Sequence, residues 1–327
     1  MRAFAASVAY VVLALAGPTA AADTVMLRNG DRISGEIVGK AGDTLTIKTE
    51  YADELQIDWS HVVSVRTEKP IEVQLRDGRI VEATEVGTGG AALSLDQVAF
   101  FKPDDAQAGR GFVYDGHVTL AAKYTRGNSQ TDSFYGEAAL NGHAKNARFF
   151  LFGNVNQNSE DGVDTDENWL LKGDYDWFFD RPQFLYARTS FKHDQFADID
   201  LRSTFGGGYG RDIFDEEDLH LSLKGGLDYV VVDPITGPRD EYTALGWGVR
   251  YKQWFWRRKF QVFHEADGYW SLEDSDDVLV RTRQGLRIPL RDSLNLTAQL
   301  NLDWNGDPEP GTKEYDSTWL LGLGYTW

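Results

Sequence analysis

Cysteine is absent from the 327 residues of this chain. That excludes disulfides, thiolate catalysis and Cys-ligated metals together. Cations are scarce: 33 Lys and Arg stand against 51 Asp and Glu, a net charge of −18. Such a balance argues against nucleic-acid binding, which needs cationic patches for phosphate. Beyond the N-terminus no stretch reaches the roughly 18 consecutive apolar residues of a membrane-spanning helix. The GxSxG elbow, the Walker A loop, HExxH and the EF-hand pattern are all missing. The six His (His61, His117, His143, His193, His220, His264) show no metal-ligand spacing. No covalent catalysis, cofactor or metal is therefore expected.

Aromatics, in contrast, reach 13%, with 10 Trp, and there are 33 Gly. Both suit β-structure that needs tight turns and interface anchors. The N-terminus, "MRAFAASVAYVVLALAGPTAAADTV", has one Arg, a short apolar run and a small-residue stretch. It reads as a secretory signal peptide over residues 1–22, cut after Ala22. The apolar run is too short to anchor the chain as a spanning helix.

Residues 23–101 carry a weak internal repeat. "VMLRNGDRISGEIV" at 25–38 matches "VQLRDGRIVEATEV" at 73–86. Each copy holds a tight-turn pair, Asn29-Gly30 or Asp77-Gly78, between alternating apolar residues, which is a hairpin signature. This region reads as a small SH3- or Sm-like β-domain. "KPDDAQAGRG" at 102–111 reads as a linker.

From residue 112 to 327 the pattern changes. In "SLNLTAQLNLDW" (293–304) leucines alternate with Asn, Thr and Gln over the whole run, so one face is apolar and the other polar. Strands of soluble proteins usually run about five or six residues; these run longer, as strands crossing a bilayer at a tilt do. About twelve such segments follow, near 112–124, 132–143, 147–158, 168–178, 184–195, 201–213, 218–231, 241–252, 259–271, 277–288, 293–304 and 315–327. "NSEDGVDTDEN", "VDPITGPRDEY", "LEDSDD" and "NGDPEPGTKEY" read as long acidic loops. They alternate with the shorter "GHAKNA", "FDRP", "FDEED" and "PLRDS". The pattern predicts an all-β fold: a transmembrane antiparallel barrel with outer loops and periplasmic turns. An even strand number puts both barrel ends on the short-turn side, and so the N-terminal domain in the periplasm.

Aromatics mark the strand ends. Trp177, Phe178, Phe179, Phe214, Trp254, Phe255, Trp256 and Trp327 fall at the short-turn ends; Trp169, Trp270, Trp304 and Tyr315 fall at the long-loop ends. Two aromatic girdles at two membrane interfaces are the expectation. Outer-membrane lipid and lipopolysaccharide are then the surroundings of the barrel. Acidic stretches 160–167 and 273–277 read as solvated loops, with binding of divalent cations as the alternative.

Strand parity points a mixed set of charges at the lumen. It includes Lys172, Asp174, Arg188, Lys192, Glu265, Asp267, Arg281, Arg283 and Arg287, together with Glu137, Arg148, Lys224, Asp228 and Asp303. Two readings compete. In one, these groups pair across the lumen and fill it, since lone desolvated charges are costly. In the other, Arg281, Arg283 and Arg287 form a basic ladder lining a narrow anion-attracting pore.

The chain resembles the YdiY-like outer-membrane proteins, a domain of unknown function. The resemblance rests on "VTLAAKYTRGNSQTDSFYGEAAL" (118–140) with its G-N-S-x-T turn, "WLLKGDYDWFF" (169–179), "LRSTFGGGYGRDIF" (201–214) and the closing "WLLGLGYTW". It covers roughly 112–327. The segment 27–62 looks like the small β-domain that often precedes this family's barrel. The resemblance implies an outer-membrane barrel and no defined activity, so no catalytic residue carries over. The terminal aromatic strand resembles the signal read by barrel-assembly machinery, and residues 23–101 offer a surface for a periplasmic partner. An outer-membrane phospholipase is the enzymatic alternative. It needs a Ser activated by a His near the lipid face; His193 and His264 have that parity, but no Ser and Asn pair accompanies them.

Overall fold

A computed structural model of the chain describes residues 22–88, 93–125, 130–216, 218–291, 293–306, 308 and 313–327. The expected signal segment (residues 1–21 of it) and most of the G-N-S-x-T turn lie outside the described residues. The chain divides into two compact units, Met1–Ala108 and Gly109–Trp327.

The first unit is a seven-stranded sheet. Its strands are β1 (Asp23–Leu27), β2 (Arg32–Ala41), β3 (Thr44–Lys48), β4 (Leu55–Asp58), β5 (Val62–Leu75), β6 (Ile80–Gly87) and β7 (Val98–Phe101). Strands β1, β5, β7 and β2 pair in a ring, while β3 and β4 extend from β2, and β6 from β5. The internal repeat becomes two equivalent turns. In one, Gly30 donates to the Leu27 carbonyl at 3.0 Å; in the other, Gly78 donates to Leu75 at 2.9 Å. Both glycines sit at positive φ, +89° and +87°, which a residue with a Cβ rarely adopts.

Alternation buries Val25, Ile37, Leu45, Ile47, Val73 and Val98 completely. Trp59 meets Phe101 edge-on at 5.6 Å. Lys40 is buried among them, donating to the Ala99 carbonyl at 2.9 Å and lying over the Trp59 ring at 5.1 Å. Burial pushes its ammonium pKa down, with Arg76 adding to the effect. The expected linker is packed over part of its length. Lys102 donates from its backbone to Glu72, Gln74 donates to the Gln107 carbonyl at 2.9 Å, and Ala106 is buried. Turn-rich composition marks an irregular path, and here that path lies against a sheet.

The second unit is a closed ring of twelve antiparallel strands. They are β8 (Val113–Thr125), β9 (Thr131–His143), β10 (Ala147–Glu160), β11 (Val163–Asp180), β12 (Gln183–Asp194), β13 (Ile199–Asp215), β14 (Leu219–Pro234), β15 (Asp240–Phe255), β16 (Phe260–Ser271), β17 (Val278–Arg291), β18 (Leu294–Asn305) and β19 (Tyr315–Thr326). Each pairs with its sequence neighbour, and β19 closes on β8. One predicted long loop is corrected. Residues 158–168 form a hairpin with its tip at Asp161-Gly162, both at positive φ, because β10 and β11 continue through polar sequence.

Burial in this unit is inverted relative to a soluble protein. On β18, Asn295, Thr297 and Gln299 are 3%, 1% and 4% exposed, whereas Leu294 is 42% exposed. Leu151, Leu171, Leu185, Leu227 and Leu245 likewise face outward. An apolar band of this extent requires an apolar solvent. Of the predicted girdle, Trp169, Trp177, Trp256, Trp270, Trp304 and Trp327 are exposed. Trp254 is corrected: it pairs with the buried Gln261 and shares the parity of Arg250, so it belongs to the inner face. Phe178 is also internal, packed on Phe184 at 5.2 Å. A strand end carries aromatics on both faces, and position along the strand alone does not separate them.

An outward apolar side chain in the middle of a strand tests which solvent the band faces. Leu227→Arg, on β14, should cost about 2–4 kcal/mol if that face lies in hydrocarbon. Denaturant unfolding in lipid vesicles reads the difference; a near-neutral effect would mean the band faces water.

Candidate functional site

Narrow closure brings the inward side chains of all twelve strands within reach of one another. Arg283 (β17) donates to Glu137 (β9) at 3.0 Å and to Glu265 (β16) at 2.9 Å. Tyr135 and Gln299 also donate to Glu137, at 2.8 and 3.0 Å, and the His117 ring lies 3.3 Å from it. Arg188 (β12) holds Asp228 (β14) with two hydrogen bonds, 2.7 and 2.6 Å, and reaches Asp267 (β16) at 3.4 Å. Lys172 pairs with the same Asp267, while Lys224 and Arg250 pair with Asp174. Arg148 bridges Asp176 at 2.8 Å and Asp212 at 3.2 Å.

The widest span is Lys192 on β12 to Asp303 on β18, 2.8 Å apart. In the ring order those strands stand on opposite walls. Lys192 also touches Asp194 at 3.1 Å, and Arg281 lies 3.5 Å from Asp303. Around Lys172, Lys224, Arg250 and Asp267 the remaining gap is ≈ 20 Å³. That is room for about one water.

These pairs need space, and glycine supplies it. A Cβ at Gly206 would collide with the Asp228 carboxylate, and one at Gly246 with both Asp228 and Arg188. The Gly-rich run of β13 is thus the floor under an ion pair. Cations also stack on inward aromatics: Arg250 on Phe150 at 4.1 Å, Arg283 on Phe152 at 4.5 Å and Arg188 on Tyr269 at 4.6 Å. Such contacts strengthen where water is excluded.

All nine predicted lumen charges lie on the inner face and eight of them join carboxylate–cation pairs; the free basic ladder is corrected. Arg281 and Arg283 are paired. Arg287 has no carboxylate partner among the described residues; it donates to Gln261 at 3.2 Å and lies over Phe263 at 4.7 Å. Sequence reasoning missed the inward aromatics Phe150, Phe152 and Tyr269, and also Asp212. Shared parity with Arg148 marks Phe150 and Phe152; Asp212 follows a glycine run whose register carries little signal. In the acidic stretch 160–167, Asp166 is taken up by the amides of Asn156, Asn158 and Asn168. Of the outward His, His264 meets Gln284 at 3.0 Å and His193 meets the Asp200 carbonyl at 2.7 Å.

A family model described as "Protein of unknown function, DUF481" matches residues 118–327, more than half of the chain. No curated protein matches it. Among solved structures, the translocator domain of the autotransporter NalP from Neisseria meningitidis is similar at 14% identity, over 66% of this chain and 88% of that one, with a TM-score of 0.37. The NanC porin is similar at 10% identity, over 65% and 97%, with a TM-score of 0.37. The KdgM porin in complex with disordered oligogalacturonate is similar at 9% identity, over 66% and 99%, with a TM-score of 0.34.

Removing one member of a desolvated pair leaves its partners uncompensated. Arg283→Met should therefore destabilise the barrel by about 3–5 kcal/mol. Adding Glu137→Gln should recover part of that loss. Equilibrium unfolding of the single and double variants in detergent checks both statements.

Proposed function

Since this chain belongs to the family described as "Protein of unknown function, DUF481", we propose that it is an outer-membrane barrel of the cell envelope with a sealed lumen. Its role is structural within the envelope, and it is not an open solute pore. The observation that carries this reading is the Lys192–Asp303 pair, 2.8 Å long and joining opposite walls. Charge rings select ions only where water and ions can pass between them. Here most of the charges satisfy one another, and Arg287 is held by Gln261 and the Phe263 ring instead.

Membrane placement is supported by the outward leucines and the exposed Trp at both strand ends. Lipid and lipopolysaccharide are the proposed surroundings, and the C-terminal strand β19 is the proposed contact for assembly machinery. Parity supports a periplasmic N-terminal unit. With twelve strands, the first begins and the last ends on the same side, that of the shorter turns. A small SH3- or Sm-like domain on that side would meet a periplasmic partner. Most of the inner-face charges among the described residues are held in ion pairs, which favours a non-enzymatic role.

Two measurements test the reading. The protein should fractionate with the outer membrane, with residues 23–101 protected from protease in intact cells. Reconstituted in planar bilayers, it should give no unit conductance, and Arg283→Ala with Glu137→Ala should still give none, because the Lys192–Asp303 and Lys172–Asp267 pairs continue to cross the lumen. A wild-type protein that conducts in discrete open steps would refute the sealed lumen.

A further inference from the structure

The seam between β19 and β8 differs from the other joints of the ring. Its register runs only from His117 opposite Thr326 to Leu120 opposite Leu323, with Gly116 and Trp327 exchanging backbone hydrogen bonds at 3.2 and 3.1 Å beside it. Both strands continue past that point. On its other side, β8 is paired with β9 as far as Thr125, and β19 is paired with β18 back to Tyr315. Extending the seam's register would set Ala122 opposite Leu321, Lys123 opposite Leu320 and Tyr124 opposite Trp319. None of these pairs forms among the described residues.

An unpaired strand edge in hydrocarbon costs several kcal/mol for each orphaned group. Nothing in the sequence forbids closure, since neither edge contains proline and both keep strand geometry. A closed seam would also place Tyr124 against Trp319 as a cross-strand aromatic pair. The parted half thus keeps backbone groups that a fully zipped seam would pair.

The chemistry along the parted half is specific. On the outer face Tyr124, Trp319 and Leu321 are 71%, 77% and 67% exposed. On the inner face stand Leu320, apolar where the parity calls for a polar residue, and Lys123, exposed and without an ion-pair partner among the described residues. Asp316 lies farther along β19, beyond Thr318, and Lys123 is the cation on the parted half of β8 among the described residues. Glu137, registered opposite Thr119 and bound to Arg283, blocks the lumen a step below. A molecule entering between the strands has no path through the barrel.

We propose that this half-seam is a lateral portal that takes a long-chain fatty acid from the surrounding leaflet, its chain against Leu320 and Trp319 and its carboxylate on Lys123. The proposal rests on the membrane placement argued above.

The absence of native cysteine makes the test clean. Ala122→Cys with Leu321→Cys would lock the portal on oxidation; Val118→Cys with Tyr325→Cys would lock the already paired half. Binding of the fluorescent fatty acid cis-parinaric acid to the full-length protein in detergent is then measured before and after oxidation. The reduced protein should bind saturably, the 122–321 disulfide should abolish binding, and the 118–325 disulfide should leave it intact. Lys123→Glu should weaken it. The proposal is overturned by a reduced protein that does not bind saturably, by binding indifferent to the 122–321 lock, or by a 122–321 pair that never cross-links while 118–325 does. A protein missing from the outer-membrane fraction would defeat the membrane placement instead, a result this detergent assay does not depend on.

Discussion

In an apolar solvent a backbone amide has no water to bond, so a sheet that crosses hydrocarbon must close on itself. That constraint organises the second unit. Twelve strands make a ring whose interior is narrow enough for side chains from opposite walls to meet, as Lys192 and Asp303 do. Half of every strand must then be apolar and half must be compatible with a crowded, nearly dry interior. Charges placed there are tolerable only when each finds a partner. The alternation in 293–304, the glycines at 206 and 246 and the carboxylates on nearly every wall are consequences of the same closure.

The first unit obeys the opposite rule. Val25, Ile37 and Leu45 are turned inward, and the one deeply placed cation, Lys40, survives by donating to two strand carbonyls. One chain thus carries two burial codes, and the change between them near residue 109 matches the division into units.

Much of this was legible in the residues because period two survives in either solvent. The twelve strands fall within a few residues of the positions that alternation assigns, and the predicted lumen charges lie on the inner face. Other features resisted for physical reasons. Residues 158–168 look like a loop because Asn, Asp and Gly dominate. Yet beyond the apolar band a strand can be polar on both faces, and β10 and β11 run on to the Asp161-Gly162 tip. Trp254 and Phe178 looked like girdle residues because aromatics cluster at strand ends, but a cation in the lumen is as good a neighbour for a ring as a lipid headgroup. Arg148, 5.2 Å above the Phe178 ring, shows the alternative. Which carboxylate each arginine takes depends on tilt and on which strands face each other, information no local pattern contains. The basic ladder on β17 is answered partly by its hairpin neighbours, with Asp303 registered opposite Arg281 and Glu265 opposite Arg283, and partly by Glu137 on the non-neighbouring β9, which no local pattern contains.

Opposite walls of the barrel touch through charge, and the Lys192–Asp303 pair is where that contact is tested most directly. A double-mutant cycle with Lys192→Met and Asp303→Asn, read by denaturant unfolding in vesicles, isolates that contact. Direct pairing across the lumen predicts a coupling energy of about 1 kcal/mol or more. Additive effects of the two substitutions would mean that the walls do not meet and that the lumen is open at its widest crossing.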